Sequence, residues 1–179
     1  HSSRPRGTPP KRREPPKSRG TSPTPGWYYS TVAQSTHPTL TVICGPMFSG
    51  KSTVLYRQVS RALRAKKTVQ VFVPRLDRRS DGQVVTHDRV TLSSLKITPL
   101  VVDSSREMFD VLMKPDVAII DEAQFFDHDL PLFIPLILDQ GTTSVVAGLD
   151  QTSEGEPFGP MPHLMSLADR VEKLTAICH

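Results

Sequence analysis

A glycine-bracketed loop between an apolar run and a helical pattern most constrains how this 179-residue chain can fold. The segment 45–52 reads GPMFSGKS and matches the pattern G-x-x-x-x-G-K-[ST]. It follows a β-branched run at 40–44 and opens the segment 52–65, where apolar side chains recur at helical spacing. A strand, a glycine-rich loop and a helix in this order predict a phosphate-binding loop.

Each residue type in this loop suits the binding of a nucleoside triphosphate. Glycines at both ends let successive backbone N–H groups point at phosphate oxygens, and the dipole of the following helix adds positive potential. The lysine supplies charge for the outer phosphates, and the serine after it supplies a hydroxyl ligand for Mg²⁺. The alternative is a glycine-containing turn with a chance lysine. The predicted ATP-binding residues here are Gly45, Pro46, Met47, Phe48, Ser49, Gly50, Lys51 and Ser52.

Short apolar strands alternate with helices through the rest of 39–179. Strands are predicted at 40–44, 68–73, 100–103, 116–120 and 144–149, and helices at 52–65, 104–113 and 130–138. Either Ser104 or Ser105 is expected to cap the second helix. This alternation favours an α/β fold of the P-loop NTPase type, with a doubly wound, mostly parallel sheet and helices on both faces. The 141 residues of 39–179 fit one domain.

The first 38 residues differ in composition from the rest of the chain. They carry seven Lys or Arg residues, one acid and eight of the 17 prolines, whereas 39–179 carry 15 basic and 17 acidic residues. Such a segment buries too little apolar surface to offset its ordering entropy, so we expect a disordered basic tail. Besides a solvated extension, three interpretations stay open: a nucleic-acid-binding arm, a nuclear signal at 11–13, and the remnant of an organelle transit peptide.

Two carboxylates follow the apolar strand at 116–120. In a doubly wound sheet the carboxyl ends of the strands open onto the ligand crevice, so we expect these acids to face the phosphate loop of the neighbouring strand. Strand alternation would send Asp121 and Glu122 to opposite faces, which favours separate tasks. Asp121 is predicted to hold Mg²⁺, directly or through a water, and Glu122 to take a proton from an acceptor hydroxyl. Alternatively, one or both acids cap the next helix.

Composition excludes two further classes of protein. No run of about 18 apolar residues is present, so a membrane-spanning helix is not expected. Two cysteines, Cys44 and Cys178, cannot form a disulfide framework or a complete four-ligand zinc site. Cys44 is expected to be a buried apolar residue.

The loop GPMFSGKS at 45–52 and the segment DEAQFF at 121–126 together resemble the cellular-type thymidine kinases, the class that bears a zinc ribbon. Further matches follow in family order at 86–89 (THDR), 148–150 (GLD), 157–159 (PFG) and 171–178 (VEKLTAIC). The resemblance implies transfer of the ATP γ-phosphate to the 5′-hydroxyl of thymidine, with Glu122 as general base. It also implies that Asp77 and Arg79 contact ATP, and that Gln124 and Phe125 line the nucleotide and nucleoside pockets.

The sequence departs from the family pattern at two points. The family closes its thymidine site with a lasso loop held by a zinc ribbon of four cysteines, and here only Cys178 matches a zinc ligand. We therefore expect the zinc lid to be absent and the 179-residue chain to have little activity. The family usually has a nucleoside-contacting aromatic three residues after the Asp of its GLD motif, where this chain has Ser153. Either the specificity has shifted or another side chain fills the gap.

Two rival functions remain beside the kinase. The residues 121–124 read DEAQ, like the DEAx box of a helicase, although 141 residues hold only one of the two domains that a helicase needs. A non-catalytic NTP-binding relic would explain Ser153 and the missing lid, but the loop lysine and both acids oppose it. The family resemblance further implies Mg²⁺ with ATP, structural Zn²⁺ and a homotetramer. A cytoplasmic location is expected, with nuclear or organelle targeting by the tail as the alternative.

Overall fold

The computed structural model describes residues 37–75 and 95–176. Along the chain the elements are β1 (Leu40–Cys44), α1 (Lys51–Arg64), β2 (Val69–Pro74), β3 (Leu100–Val102), α2 (Ser105–Asp110), β4 (Val117–Ile120), a 3₁₀ turn (Ala123–Phe125), α3 (Leu130–Asp139), β5 (Thr143–Gly148), α4 (Met161–Leu167) and β6 (Arg170–Lys173). The six strands form one sheet in the order β3-β2-β4-β5-β1-β6. Every pairing between neighbouring strands of this sheet is parallel.

Helices cover both faces of the sheet, which confirms the predicted fold class. On one face α1 buries Leu55 and Val59 against side chains such as Ile119 of β4. On the other face α2, α3 and α4 bury an apolar cluster that includes Ile134 and Leu164. A parallel sheet buried on both faces needs near-continuous apolar strands, and all four residues of β4 are buried.

The predicted strands and helices are present, with small changes at their ends. Ser104 is the cap of α2, since its Oγ accepts the N–H of Glu107 at 3.1 Å. The helix ends at Asp110 rather than at 113, ahead of Pro115, which cannot continue a helix. The sequence pattern did not reveal α4 or β6. Both are short, and β6 is an edge strand that exposes three of its four residues.

The order of the strands corrects one expectation. Because β5 lies between β1 and β4, the strand that precedes the acids is not the neighbour of the strand that precedes the phosphate loop. Neighbouring strands lie about 4.8 Å apart, which places the two strand ends roughly 10 Å from each other. In register, Cys44 pairs with Gly148 and Ile120 pairs with Val146. Strand β4 therefore ends two residues short of β1, and the two acids lie beyond its end at the same edge of the sheet.

The carboxylate of Asp127 joins the chain after β4 to the start of α2. It accepts the backbone N–H and the hydroxyl of Ser105, each at 2.7 Å, and the N–H of Asp129 at 3.1 Å. Burial by itself raises the pKa of Asp127, but the hydrogen bonds that its carboxylate accepts, from Ser105 and from backbone N–H groups including that of Asp129, together outweigh it and hold the pKa below its ordinary value. The charged form of Asp127 thus fastens α2 to the segment that follows the acids.

Replacing Asp127 by asparagine should lower the free energy of unfolding by about 1 to 2 kcal/mol at neutral pH, since hydrogen bonds to a charged acceptor are lost. A carboxylate with a depressed folded pKa stabilises the protein above its unfolded pKa of about 3.9, and this stabilisation is lost as the pH falls through the folded pKa. Urea unfolding of wild type and Asp127→Asn across this range should show the difference shrinking with falling pH. The exposed Asp129→Asn is the control, and a difference that does not change with pH would contradict the account.

Candidate active site

The loop between β1 and α1 has a backbone that few residue types adopt. Its φ angles are +146° at Gly45, +60° at Phe48 and +86° at Gly50. A left-handed conformation costs a non-glycine residue such as Phe48 about 1 to 2 kcal/mol, and strain of this kind clusters at ligand-binding turns. Helix α1 begins directly after Gly50 with no acidic residue in its first turn. The positive end of its dipole is therefore not neutralised at the loop by a first-turn carboxylate.

Gly45 lies against the backbone that follows β6. A Cβ at this position would be 2.4 Å from the carbonyl oxygen of Leu174 and 3.1 Å from the Ser49 hydroxyl. The N–H of Leu174 donates to the carbonyl of Cys44 at 2.7 Å, which fixes that backbone beside the loop. No local sequence pattern indicates Leu174, because only the parallel pairing of β6 with β1 brings it beside the loop.

Three polar side chains belong to the segment 45–52: Ser49, Lys51 and Ser52. Lys51 Nζ donates to the carbonyl oxygens of Pro46 at 2.7 Å and Gly45 at 3.0 Å. The Ser49 hydroxyl is buried, with no hydrogen-bond partner among the described residues. A buried polar atom of this kind is uncommon and needs an explanation, of which a polar ligand is one. Ser52 is half-buried at the second position of α1. The arrangement is suited to binding an anionic, oxygen-rich group.

The backbone after β4 holds the two acids in a strained turn. Glu122 is left-handed, with φ +53° and ψ +39°. Asp121 Oδ1 accepts the N–H of Glu122 at 2.9 Å, and the Glu122 carbonyl accepts the N–H of Phe125 at 3.0 Å. Such a conformation persists only where the surroundings enforce it, and it is found most often at functional sites.

This turn bears on two of the sequence-based expectations. Strand alternation does not govern the acids, because β4 ends at Ile120 before either of them. Glu122 is the N-cap residue of the 3₁₀ turn, but its side chain makes no capping hydrogen bond. Its carboxylate instead accepts a hydrogen bond from a neighbouring side chain, Gln124, so simple helix capping does not explain it.

Gln124 is almost wholly buried and connects Glu122 to the end of β5. Its Nε2 donates to Glu122 Oε2 at 2.7 Å, and its Oε1 accepts the N–H of Leu149 at 3.0 Å. Glycines line the space around it. A Cβ at Gly148 would lie 2.7 Å from Gln124 Oε1, and a Cβ at Gly159 would lie 2.3 Å from the Gln124 carbonyl oxygen. The residue that the sequence placed in the ATP site therefore uses its amide within the protein.

An ion pair lies at the ends of β5 and β6. The carboxylate of Asp150 accepts from Lys173 Nζ at 2.8 Å, and the Asp150 side chain is only 9% exposed. Both charges act on Cys44, which is buried at the end of β1. Burial and the Asp150 charge raise the pKa of the Cys44 thiol more than Lys173 and Lys51 lower it. Cys44 is thus a buried neutral thiol, as the sequence predicted, and the ion pair is a site component that the sequence did not reveal.

The turn after β5 brings an aromatic residue, Phe158, beside Phe125, although the position expected to be aromatic is Ser153. Ser153 is exposed and its hydroxyl donates to the carboxylate of Glu154 at 2.8 Å. The N–H of Phe158 donates to the carbonyl of Asp150 at 3.1 Å, which returns the chain to the end of β5. Phe158 packs edge-on against Phe125, with ring centroids 5.4 Å apart and an interplanar angle of 83°. Phe125 remains 40% exposed, so the pair has an accessible face.

The remaining predicted site residues, Asp77, Arg79 and Cys178, lie outside the described residues, as does the predicted disordered tail up to residue 36. Within 37–75 and 95–176, no group of three or more His, Cys, Asp or Glu side chains could hold a metal ion. The hydroxyl of Ser52 and the carboxylate of Asp121 are oxygen donors of the kind that Mg²⁺ uses together with phosphate oxygens and waters.

None of the helices in the described ranges is long and apolar enough to cross a membrane.

The fold and the loop sequence define the class: an α/β protein with a fold of the P-loop NTPase type and a parallel, doubly wound sheet. A solved structure supports the fold alone. The flagellar accessory protein FlaH from Methanocaldococcus jannaschii aligns with a TM-score of 0.53 at 15% identity, over 77% of this chain and 71% of that one.

Sequence comparison then places the chain in a family within this class. A family model for thymidine kinase matches residues 38–179. The thymidine kinase of Bacteroides fragilis (strain YCH46) is 46% identical over 138 residues, which are 76% of this chain and 67% of that protein. The thymidine kinase of Porphyromonas gingivalis (strain W83) is also 46% identical over 138 residues, 76% of this chain and 65% of that protein. The chain belongs to the thymidine kinase family, and it spans about two thirds of the length of these relatives.

Substitution of Gly45 by alanine should destabilise the protein more than substitution of Gly141 by alanine, because an added Cβ at Gly141 would have no atom within 4 Å. Both Gly45 and Gly141 have positive φ, but only at Gly45 would the added Cβ meet backbone within 4 Å. We expect Gly141→Ala to lower the free energy of unfolding by about 1 kcal/mol, and Gly45→Ala to lower it by about 3 kcal/mol. Urea unfolding measures both, and equal losses would show that the contact with Leu174 does not constrain the loop.

Proposed function

We propose that this protein phosphorylates the 5′-hydroxyl of thymidine with ATP. Membership of the thymidine kinase family supports the reaction class over a DEAx-box ATPase fragment. The observation that carries the proposal is the position of the phosphate loop and of Glu122 beyond the carboxyl ends of β1 and β4, at one edge of the same parallel sheet. This is the edge at which α/β proteins of this kind bind their ligands.

The donor phosphates bind in the loop 45–52. The backbone N–H groups and the α1 dipole stabilise their negative charge. Lys51 donates to two loop carbonyls, and a phosphate entering the loop would compete for the same ammonium group. The Ser49 hydroxyl, buried beside Gly45, gains the hydrogen-bond partner that it otherwise lacks among the described residues. Asp77 and Arg79 remain further candidates for ATP contacts.

Ser52 and Asp121 would hold the magnesium ion of Mg·ATP. When bound, the ion neutralises charge on the phosphate oxygens during phosphoryl transfer. Asp121 also accepts the N–H of Glu122 through Oδ1, so the same carboxylate that would face the metal supports the strained turn. One hydrogen bond, from the Glu122 N–H to Asp121 Oδ1, thereby links the proposed metal ligand to the proposed proton acceptor.

Glu122 acts as the general base. The 5′-oxygen of thymidine attacks the γ-phosphorus, its proton passes to the Glu122 carboxylate, and the bond between the γ-phosphorus and the β,γ-bridging oxygen breaks to release ADP. Glu122 is only partly exposed, which allows it to meet a hydroxyl while it keeps its hydrogen bond to Gln124. The carboxylate needs no redox partner or covalent intermediate for this step.

Phe125 and Phe158 form the aromatic side of the nucleoside pocket. Phe125 follows the acids within the 3₁₀ turn, so its ring lies within a few residues of the proposed base. An aromatic pair with an exposed face offers a pyrimidine ring a stacking or edge contact. Phe158 therefore supplies an aromatic ring beside Phe125, whereas Ser153 has none. The homotetramer and the cytoplasmic location stay predictions.

Replacing Lys51 by alanine should weaken Mg·ATP binding by about 10-fold or more, because a charged donor to the outer phosphates is lost. Isothermal titration of the full-length protein with a non-hydrolysable ATP analogue measures the dissociation constant. The exposed lysine next to β2 provides the control, since Lys67→Ala removes the same charge outside the loop. Equal affinity in wild type and Lys51→Ala would remove the loop from the donor site.

Replacing Glu122 by glutamine should reduce thymidine phosphorylation by roughly 100-fold or more while ATP binding changes little, because the amide cannot take the proton. The amide oxygen can still accept from Gln124, so the turn should be retained. Asp139→Asn, at the exposed end of α3, is the control acid. Steady-state kinetics in the full-length protein decide the role, and near-normal turnover in Glu122→Gln would exclude Glu122 as the base.

A further inference from the structure

The amide of Gln124 is held in one orientation. Leu149 presents a backbone N–H, which is a donor only, so the atom of Gln124 that meets it at 3.0 Å must be the amide oxygen. The NH₂ group is then directed to Glu122 Oε2 at 2.7 Å, where a carboxylate can only accept. Exchanging the amide oxygen and nitrogen would place the NH₂ group against the Leu149 N–H and the amide oxygen against the Glu122 carboxylate.

The surroundings of Gln124 leave little room for another arrangement. The residue is 3% exposed. The missing Cβ of Gly148 makes space for its amide oxygen, and the missing Cβ of Gly159 makes space for its backbone carbonyl. Gly148 ends β5, the strand between β1 and β4, so the orientation of the amide is set by the sheet itself.

We propose that Gln124 is a positioning residue that acts through Glu122, rather than a contact of the nucleotide. This inference rests on the proposed function and deepens it. The Gln124 amide engages Oε2 of Glu122 and thereby assigns Oε1 as the oxygen that receives the 5′-hydroxyl proton. A base whose rotamer is fixed by a buried hydrogen bond is already oriented toward the hydroxyl, so no conformational entropy is lost when the substrate binds. This is the general advantage of residues that hold reacting groups in place.

Three variants separate this role from others. Gln124→Met keeps the length and an unbranched shape but makes neither hydrogen bond. Gln124→Glu keeps an acceptor for Leu149 and replaces the donor to Glu122 by an oxygen. Gly148→Ala keeps the Gln124 side chain but crowds its amide, since the new Cβ would otherwise lie 2.7 Å from Oε1; the same Cβ would lie 2.8 Å from Met161 Sδ. Circular dichroism and thermal melting show whether each variant folds. If a variant at position 124 does not fold, Gly148→Ala tests the same amide without changing Gln124.

Thymidine phosphorylation by the full-length protein is the first readout. We expect kcat to fall about 10-fold in Gln124→Met, as for the loss of one hydrogen bond to a charged group, and further in Gln124→Glu. The KM for ATP should stay within about 2-fold of wild type, because the residue is assigned no contact with the nucleotide. Gly148→Ala should lower kcat in the same direction. An unchanged kcat in Gln124→Met, or a loss confined to the KM for ATP, overturns the proposal.

A double-mutant cycle with Glu122→Gln is the second readout. If Gln124 acts through the carboxylate, Gln124→Met should have little further effect on kcat once Glu122 is glutamine. A role in general folding or in ATP binding would instead lower kcat by the same factor in both backgrounds, which overturns the proposal. Normal turnover in Glu122→Gln alone would defeat the proposed base and this inference together. Slow turnover in Glu122→Gln with normal turnover in Gln124→Met would defeat only this inference.

Discussion

The parallel hydrogen bonding of β5 to both β1 and β4 is the constraint on which the rest of the site depends. Because the three strands run in one direction, their carboxyl ends lie at one edge, and the phosphate loop and the acids emerge there together. The register then matters residue by residue. Gly148 of β5 pairs with Cys44 immediately before the loop, and it also leaves space for the amide that meets Glu122. One small residue thus lies between the end of β1, where the loop 45–52 begins, and the amide that meets Glu122.

The strain in the site is local and is opposed by specific contacts. Phe48 and Glu122 both adopt left-handed backbones, each at a cost of about 1 to 2 kcal/mol. The loop carbonyls around Phe48 accept from Lys51, and the turn at Glu122 is held by Asp121 and Gln124. Proteins keep such conformations where function requires them, at some loss of stability. These two residues of the site lie where we propose phosphate binding and proton transfer, whereas Lys66, Lys96 and Lys114 adopt positive φ elsewhere in the described residues.

The sequence predicted those parts of the fold that local patterns encode. The strand before the loop 45–52 and the helix after it were predicted correctly, because apolar spacing and the glycines between them are local signals. The order of the strands was not readable, so β5 was not expected between β1 and β4. The hydrogen bonds of Gln124 and the packing of Phe158 on Phe125 arise from tertiary contacts across β5 and its turn, which spacing cannot show. For the same reason, the motif GLD pointed to position 153 as the aromatic position, whereas the aromatic residue that packs on Phe125 is Phe158.

The most direct measurement is a crystal structure of the full-length protein with Mg²⁺, a non-hydrolysable ATP analogue and thymidine. We expect the triphosphate within the loop 45–52, the metal bound by the Ser52 hydroxyl and facing Asp121, and the thymidine 5′-hydroxyl within hydrogen-bond distance of Glu122 Oε1. A triphosphate bound elsewhere, or a Glu122 carboxylate directed away from both substrates, would contradict it.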